Sequence, residues 1–209
     1  MKKLMTVAVA ALALGLVAET KAADSDSWKW SPIGVGIVAP AQLPFMSSDV
    51  YGIRLGGILG WNENVYGLDC AVANVTAGNE FAIQAGVFNV VWGDFTGLQA
   101  GLFNYDASLV KGLQLGAVNW DALSAYGLQV AAVNVDLRSL DGVAIGGINF
   151  AGTVTGAQIG ALNLADEVTG CQIGVVNACE RMHGIQLGAL NLINSSRLLP
   201  CMVLVNAWF

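Results

Sequence analysis

Residues 97–104 read GLQAGLFN, and residues 112–119 read GLQLGAVN. The pattern, Gly-x-Gln-x-Gly-x-x-Asn, returns with small changes along most of the chain, and ten copies close on an asparagine at intervals of 14 or 15 residues. A fixed period of this kind is typical of a repeat protein, in which one short unit stacks on the next. Eleven units are predicted, beginning at positions 52, 67, 82, 97, 112, 127, 142, 156, 170, 184 and 199.

The residue types within a unit predict β-strands. When each unit is numbered from its first glycine, positions 2, 4, 7 and 9 carry mostly aliphatic or aromatic residues, and these types favour strands. A helix is disfavoured, because two glycines per unit would each cost about 1 kcal/mol relative to alanine. Glycine at position 5 allows a bend, which would turn positions 2 and 4 and positions 7 and 9 toward one shared core.

Two all-β architectures fit this unit. In a repeat β-solenoid, each unit is one coil and equal positions stack about 4.8 Å apart. In an outer-membrane β-barrel of about 12 strands, each unit is one strand and a turn. The near-constant period and the repeated polar positions favour the solenoid, whereas the apolar content and the terminal Trp208-Phe209 favour the barrel. The solenoid is the leading prediction.

A solenoid would turn the repeated asparagines and glutamines into side-chain amide ladders, because each amide would hydrogen-bond to its equivalent in the next coil. The predicted structural ladder comprises Asn74, Asn89, Asn104, Asn119, Asn134, Asn149, Asn163, Asn177, Asn191 and Asn206, together with Gln84, Gln99, Gln114, Gln129, Gln158, Gln172 and Gln186.

The chain before the repeat divides into two parts. Residues 1–22 read as a secretory signal, since a basic start precedes an apolar run and Thr20-Lys21-Ala22 offers small residues for cleavage. Residues 23–51 are predicted to cap the open end of the repeat domain, which spans residues 52–209. Export permits disulfides, but the cysteine spacing matches no zinc pattern, and small buried thiols are predicted at Cys70, Cys171, Cys179 and Cys201.

The charge of the chain excludes one class of partner. The net charge is −6, and it becomes about −8 without residues 1–22, which hold three lysines and one glutamate. Nucleic-acid binding requires a basic footprint, so no nucleic-acid partner is predicted. Association with an outer membrane, self-association, and a protein or surface ligand are the partners that the sequence leaves open.

No catalytic, cofactor or metal site is predicted. A hydrolytic nucleophile usually needs an adjacent base, and the single histidine, His183, is expected to be an exposed residue of a return turn. Asp166 and Glu167 are adjacent and are expected to be solvated turn charges.

Three aspartates form an acidic column in the repeat. Asp106, Asp121 and Asp136 each follow the repeat asparagine by two residues, in three successive units. In a solenoid they would stack within about 5 Å of each other, where carboxylates repel unless they face water or share a cation such as calcium. Hydrated turn aspartates are the preferred interpretation, because the matching positions of later units are apolar.

The repeats resemble those of a bacterial surface-repeat family first described in leptospiral surface lipoproteins. The resemblance rests on the Gly-x-Gln-x-Gly-x-x-Asn units and on the entry stretches VYGIRL at 50–55 and NVYGLD at 64–69, and it covers about residues 32–209. It implies an exported protein of the cell surface or outer membrane with no assigned chemistry. The chain departs from the lipoprotein members because its first cysteine is Cys70, so no cysteine is placed for lipid attachment.

The expected function is that of an exported structural or adhesive surface protein without catalysis. The alternative is an outer-membrane β-barrel that acts as a small pore or membrane anchor. The expected location is the cell surface or outer membrane, and otherwise the periplasm or the medium.

Overall fold

The computed structural model describes residues 29–39, 41–195 and 200–208. The predicted signal, residues 1–22, lies outside the described residues, as does the start of the predicted cap at residues 23–28. All regular secondary structure in the described residues is β. A search of the same residues for a helix long and apolar enough to cross a membrane found none.

Thirteen strands form one sheet, in which twelve follow a single path around one axis and β13 pairs with β12 off that path. The longest of them runs for 70 residues through several consecutive coils without interruption. The strands are β1 (Trp30–Val38), β2 (Ala41–Leu43), β3 (Asp49–Asn62), β4 (Val65–Cys70), β5 (Ala73–Thr76), β6 (Glu80–Ala85), β7 (Phe88–Val91), β8 (Phe95–Ala100), β9 (Phe103–Asp106), β10 (Leu109–Leu115), β11 (Val118–Asp121), β12 (Ser124–Ile193) and β13 (Cys201–Trp208).

Equal positions of successive units pair in parallel. Gln114 of β10 lies beside Gln99 of β8 on one side and Gln129 of β12 on the other. Asn119 of β11 is paired in the same way with the asparagines of the preceding and following units. This register makes each unit one coil of a β-solenoid, so the predicted architecture is confirmed. The barrel alternative, which needs antiparallel neighbours, is wrong for the described units.

A glycine at position 1 permits the stacking in every regular coil except the one that begins at Ala82. Gly112 has φ +134°, a conformation that side-chain-bearing residues rarely adopt. A Cβ atom on Gly112 would also lie 2.0 Å from the carbonyl oxygen of Gly97 in the preceding coil. Glycine therefore recurs at position 1 because both the backbone angle and the approach of the neighbouring backbone require it.

The interior of the coils differs from the sequence prediction. Leu113 and Val118 are half-buried and Leu115 is exposed, whereas Gln114 and Asn119 are 1% and 0% exposed. Positions 2, 4, 7 and 9 face outward, so the prediction that they form the core is wrong. Amide side chains can fill the interior instead, because each finds hydrogen-bond partners in the neighbouring coils and so avoids the penalty of unpaired burial.

Four positions of each coil face inward: position 3, position 8, position 10, and the residue that opens the next coil two places before its glycine. Positions 3 and 8 supply the amides. The other two lie on either side of the return segment. Most of their residues are apolar and form a cluster that includes Phe95, Val110, Leu140, Val154 and Ile193, but polar or acidic side chains stand at these positions in several coils. The solenoid therefore has a mixed interior, mostly apolar on the side of the return segments and amide-filled elsewhere.

Each end of the array carries a strand outside the regular repeat. At the N-terminal end, β1 pairs in parallel with β3, and β2 folds back antiparallel on β1. From β2, the side-chain oxygen of Gln42 accepts a hydrogen bond from the N–H of Trp61 at 3.0 Å. At the C-terminal end, β13 runs antiparallel to the last coil, with Asn206 opposite Gln186. The copy that begins at residue 199 is therefore not a further coil.

Candidate functional site

The asparagine column is a continuous buried ladder. From Asn74 to Asn177, each Nδ2 donates to the Oδ1 of the asparagine in the next coil at 2.8–2.9 Å, and Asn191 is the last acceptor. In most coils the same Nδ2 also donates to a backbone carbonyl of the next coil, as Asn134 does to Ile145 at 3.1 Å. Asn206 lies outside this ladder, since it faces Gln186 and its Nδ2 has no partner among the described atoms.

The glutamine column forms a second ladder with the opposite direction. Gln99 Nε2 donates to Gln84 Oε1 at 2.9 Å, Gln114 to Gln99 at 3.1 Å and Gln129 to Gln114 at 2.9 Å. Here each donor points toward the N-terminal end of the solenoid, whereas the asparagine donors point toward the C-terminal end. The dipoles of the two ladders therefore oppose each other along the axis.

A buried ion pair terminates the glutamine ladder at its N-terminal end. Arg54 and Asp69 occupy position 3 in the first two coils, and they are 2% and 0% exposed. The Arg54 Nε donates to Asp69 Oδ1 at 2.5 Å, and a second guanidinium nitrogen contacts the other carboxylate oxygen. Gln84 Nε2 then donates to Asp69 Oδ2 at 3.0 Å. Asp69 therefore accepts hydrogen bonds from the guanidinium of Arg54 on one side and from the amide of Gln84, the first glutamine of the ladder, on the other.

Glu80 joins this group from the neighbouring interior column. Its Oε2 accepts from Thr76 Oγ1 at 2.6 Å and from Gln84 Nε2 at 2.7 Å. Burial, and next the negative charge of Asp69, raise the pKa of Glu80 well above its usual range, although Arg54 opposes the shift. These residues were not predicted from the sequence, where their one signal was a charged residue at repeat positions that mostly carry amides or apolar groups.

The aspartate column is buried, so the prediction of hydrated turn aspartates is wrong. Asp106, Asp121 and Asp136 are 0%, 0% and 1% exposed. Gln114 Nε2 lies 2.8 Å from Asp106 Oδ2 and 3.0 Å from Asp121 Oδ1, and Gln129 Nε2 bridges the next pair in the same way. These aspartates lie two residues after an inward asparagine, and strand residues two apart share a face.

Burial makes these three carboxyl groups hard to ionise. It raises the pKa of Asp121 from 3.8 to about 6, although hydrogen bonds, first from Gln114 and then from Asp136 and Gln129, oppose the shift. Burial and the charge of Asp121 raise the pKa of Asp106 and that of Asp136 well above the usual range. Protons are therefore retained in this column at pH values where exposed aspartates are ionised.

The chain is expected to become more stable on mild acidification. Aspartate in the unfolded chain has a pKa of about 3.9, so between pH 4 and pH 6 the folded state binds more protons than the unfolded state. The free energy of unfolding then falls as pH rises. Asp121 alone contributes on the order of 3 kcal/mol below pH 4 that is lost above pH 6. The melting temperature, followed by circular dichroism, should therefore rise from pH 7 to pH 5.

A pair of variants isolates the cause of this pH dependence. Asp121→Asn removes the middle titrating group and should reduce the gain in melting temperature between pH 7 and pH 5. Asp166→Asn, which alters an exposed aspartate of a return segment, should leave the gain unchanged. Equal pH profiles for the wild type and Asp121→Asn would contradict the assignment.

The glutamine ladder has one gap. Ala144 stands at position 3 between Gln129 and Gln158 and is 1% exposed. Gln129 Oε1 and Asp136 Oδ2 have no hydrogen-bond partner among the described atoms, and Gln158 Nε2 turns to a backbone carbonyl at 3.4 Å. Leu140 is fully buried in the same coil. At the equivalent position the neighbouring coils carry a smaller alanine or valine, so this coil has a larger residue at 140 and a smaller one at 144.

The double variant Leu140→Val/Ala144→Gln is expected to be more stable than the wild type. A glutamine at 144 would donate to Gln129 Oε1 and accept from Gln158, so pairing these groups should add about 1–3 kcal/mol to the free energy of unfolding. Ala144→Gln alone should overpack against Leu140 and destabilise by about 1–3 kcal/mol. Urea unfolding of the two single variants and the double variant measures the coupling. If the stability changes of the two single variants simply added in the double variant, the completed ladder would not be the cause of the gain in stability.

Other residues singled out in the sequence have separate positions. His183 is exposed, as predicted, but it lies within β12 and not in a turn. Glu167 forms an exposed ion pair with Arg181 at 2.9 Å. The cysteines are free, and the prediction of buried thiols is correct for Cys179 alone, since Cys201 is exposed and the other two are half-buried. Burial raises the pKa of Cys179 to about 11.

The buried columns are built for hydrogen bonding. Across residues 29–39, 41–195 and 200–208, no three His, Cys, Asp or Glu side chains are grouped to hold a metal ion. In the aspartate column, the amide of Gln114 lies between the carboxyl groups of Asp106 and Asp121, where a bridging cation would otherwise have to lie. The arrangement therefore serves cohesion between coils.

Comparisons of the chain with protein-family models, with curated proteins and with solved structures found no match. The resemblance to the surface-repeat family therefore rests on the repeat pattern itself and stays a prediction.

Proposed function

We propose that this chain is an exported, non-catalytic structural or adhesive repeat protein of the cell surface or outer membrane. The observation that carries the proposal is the in-register stacking of equal positions along the array. It fills the interior with side chains that bond to one another and repeats the same outward residues from coil to coil. Such a body offers a long, regular surface, which suits assembly or adhesion.

The sequence features before the repeat support the export part of the proposal. Residues 1–22 have the basic start, apolar run and small-residue exit of a secretory signal. The acidic net charge of −6 is consistent with a protein or surface ligand and with self-association, and unsuited to nucleic acid. No cofactor is part of the proposal.

Export can be tested in a Gram-negative host that expresses the full chain or a variant lacking residues 1–22. The full chain should be recovered with an N-terminus at Ala23 and should be cleaved when proteinase K is added to intact cells. The truncated variant should remain in the cytoplasm and be protected. Recovery of the full chain uncleaved in the cytoplasm would contradict the proposal, whereas protection that ends only when the outer membrane is permeabilised would place it in the periplasm.

A further inference from the structure

The outer surface of the solenoid separates apolar from charged residues. In the coils that begin between positions 67 and 184, no charged or amide side chain stands at positions 2, 4, 6, 7 or 9. Positions 2 and 4 form one broad outer face, positions 7 and 9 form the other, and position 6 lies at the bend between them. These three sides together present an uninterrupted apolar surface along the array.

The fourth side carries the charge. We call it the return edge, meaning the segments that join position 10 of one coil to the first inward residue of the next, such as 92–94, 107–109 and 137–139. Between positions 62 and 193, every charged side chain that is not buried lies either on this edge or in the residue just before the repeat glycine, which is next to the edge. The solenoid is therefore amphipathic around its axis.

The bend edge, formed by the position 6 residues, is strongly exposed. Val72, Leu102 and Val175 are 48%, 55% and 58% exposed. Contiguous apolar patches on soluble monomers rarely exceed a few hundred Å², and here two whole faces and the edge between them are apolar. A surface of this kind requires a partner.

Tyrosine and tryptophan lie at the boundary between the apolar and charged sides. They occupy the residue before the repeat glycine on one face and position 9 on the other, which are the outward positions nearest the return edge. Tyr51 and Tyr66 stack with ring centroids 4.6 Å apart on the first face. Amphipathic rings of this type concentrate where hydrocarbon meets water at a membrane surface. The residues are Tyr51, Tyr66, Tyr126, Trp61, Tyr105 and Trp120.

The depth of the apolar sides is comparable to that of one leaflet. Six residues separate the aromatic boundary from the bend edge on the first face and three on the second, so at about 3.3 Å per residue the faces are about 20 Å and about 10 Å deep. Half of a bilayer's hydrocarbon core is about 15 Å. Backbone groups on the two faces pair between coils, so the faces present few unpaired N–H or C=O groups to hydrocarbon.

We propose that the solenoid lies within one leaflet of a lipid bilayer, with its axis in the membrane plane, the return edge among the headgroups and the bend edge near the bilayer midplane. It does not cross the bilayer. A second copy of the chain is a poorer occupant, because one flat copy covers one face and leaves the other face and the bend edge in water. The proposal goes beyond the structural role proposed above and does not rest on export.

Vesicle flotation with two matched leucine variants tests the proposal. The full chain, purified in detergent and transferred to phosphatidylcholine vesicles, should float with them; these neutral lipids are chosen because the chain is acidic. Leu102→Glu places a charge on the bend edge and should weaken partitioning at least tenfold. Leu123→Glu makes the same change in an exposed leucine of the return edge and should alter it less than twofold.

The wild-type chain supplies a second measurement that requires no variant to fold. Tryptophan emission should be quenched more by lipids brominated near the headgroup than by lipids brominated near the chain end. Trp61, Trp92 and Trp120 lie at or beside the return edge, and the exposed Trp30 and Trp208 pair with Asp49 and Gly184, which are also near it. Equal effects of the two glutamates, or deeper quenching by chain-end bromine, would overturn the orientation. A chain that stays with the aqueous fraction as soluble oligomers would overturn the lipid assignment in favour of copies of itself.

Discussion

The variant Gly142→Ala is expected to lose more than about 3 kcal/mol of its free energy of unfolding. Gly142 has φ +150°, and a Cβ atom there would lie 2.0 Å from the carbonyl oxygen of Gly127 in the preceding coil. Backbone cannot move aside as a flexible side chain can, so the spacing between two coils must open. Because the hydrogen bonds of both ladders cross that spacing, the cost extends beyond the substituted residue.

The same coil supplies the control. Gly147 stands at position 6, where other coils carry Ala132 and Ala161, and a Cβ there would lie 3.0 Å from its nearest atom, the carbonyl oxygen of Ala132. Gly147→Ala should therefore change the free energy of unfolding by less than about 1 kcal/mol. The free energies of unfolding of both variants can be measured by thermal and urea unfolding. Similar losses of stability in the two would show that position 1 does not specifically require glycine.

The variant Asn134→Leu should be destabilised by about 3 kcal/mol or more. Asn134 Nδ2 donates to Asn149 Oδ1 at 2.8 Å and to the carbonyl of Ile145 at 3.1 Å, and its Oδ1 accepts from Asn119 at 2.9 Å. A leucine leaves all three partners buried without their bonds, and each such loss costs about 1–3 kcal/mol. The Asn134→Leu chain should melt well below the wild type in circular dichroism.

An adjacent outward residue gives the matched control for Asn134. Val135→Leu introduces the same side chain one residue later, at position 9, where Leu164 and Leu192 occur naturally. Its melting temperature should stay within a few degrees of the wild type. If Val135→Leu proved as damaging as Asn134→Leu, the loss would reflect added bulk and not the broken ladder.

The sequence predicted the coil and its stacking but not which residues face inward. The interval between asparagines requires equal positions to recur, and parallel pairing of equal positions follows from that. Whether Leu113 or Gln114 faces inward depends on the sense of the bend after Leu115, and glycine permits either sense. The usual expectation that apolar side chains are buried then selected the wrong face, because amides that pair with each other lose little on burial.

Other features of the interior differed in how far the sequence could predict them. The burial of Asp121 followed from that of Asn119, since strand residues two apart share a face. The prediction failed because stacked carboxyl groups were expected to repel unless they faced water or a cation, and because the column is not continued in later units. The Arg54–Asp69 pair was not predicted, although the register contains it. Both residues stand at position 3 of successive units, 15 residues apart, so the stacking of equal positions brings them together. The pair was missed because positions 2 and 4, and not position 3, were expected to face inward.

The unidirectional asparagine ladder has a consequence for how such an array can change over evolution. Every coil between Asn74 and Asn191 receives one amide donor from the coil before it and passes one to the coil after it. An in-frame duplication of a single unit would therefore present the same donor and acceptor at both junctions. The array can therefore grow or shrink by whole units without breaking the asparagine series, whereas the two terminal strands have no equivalent within it.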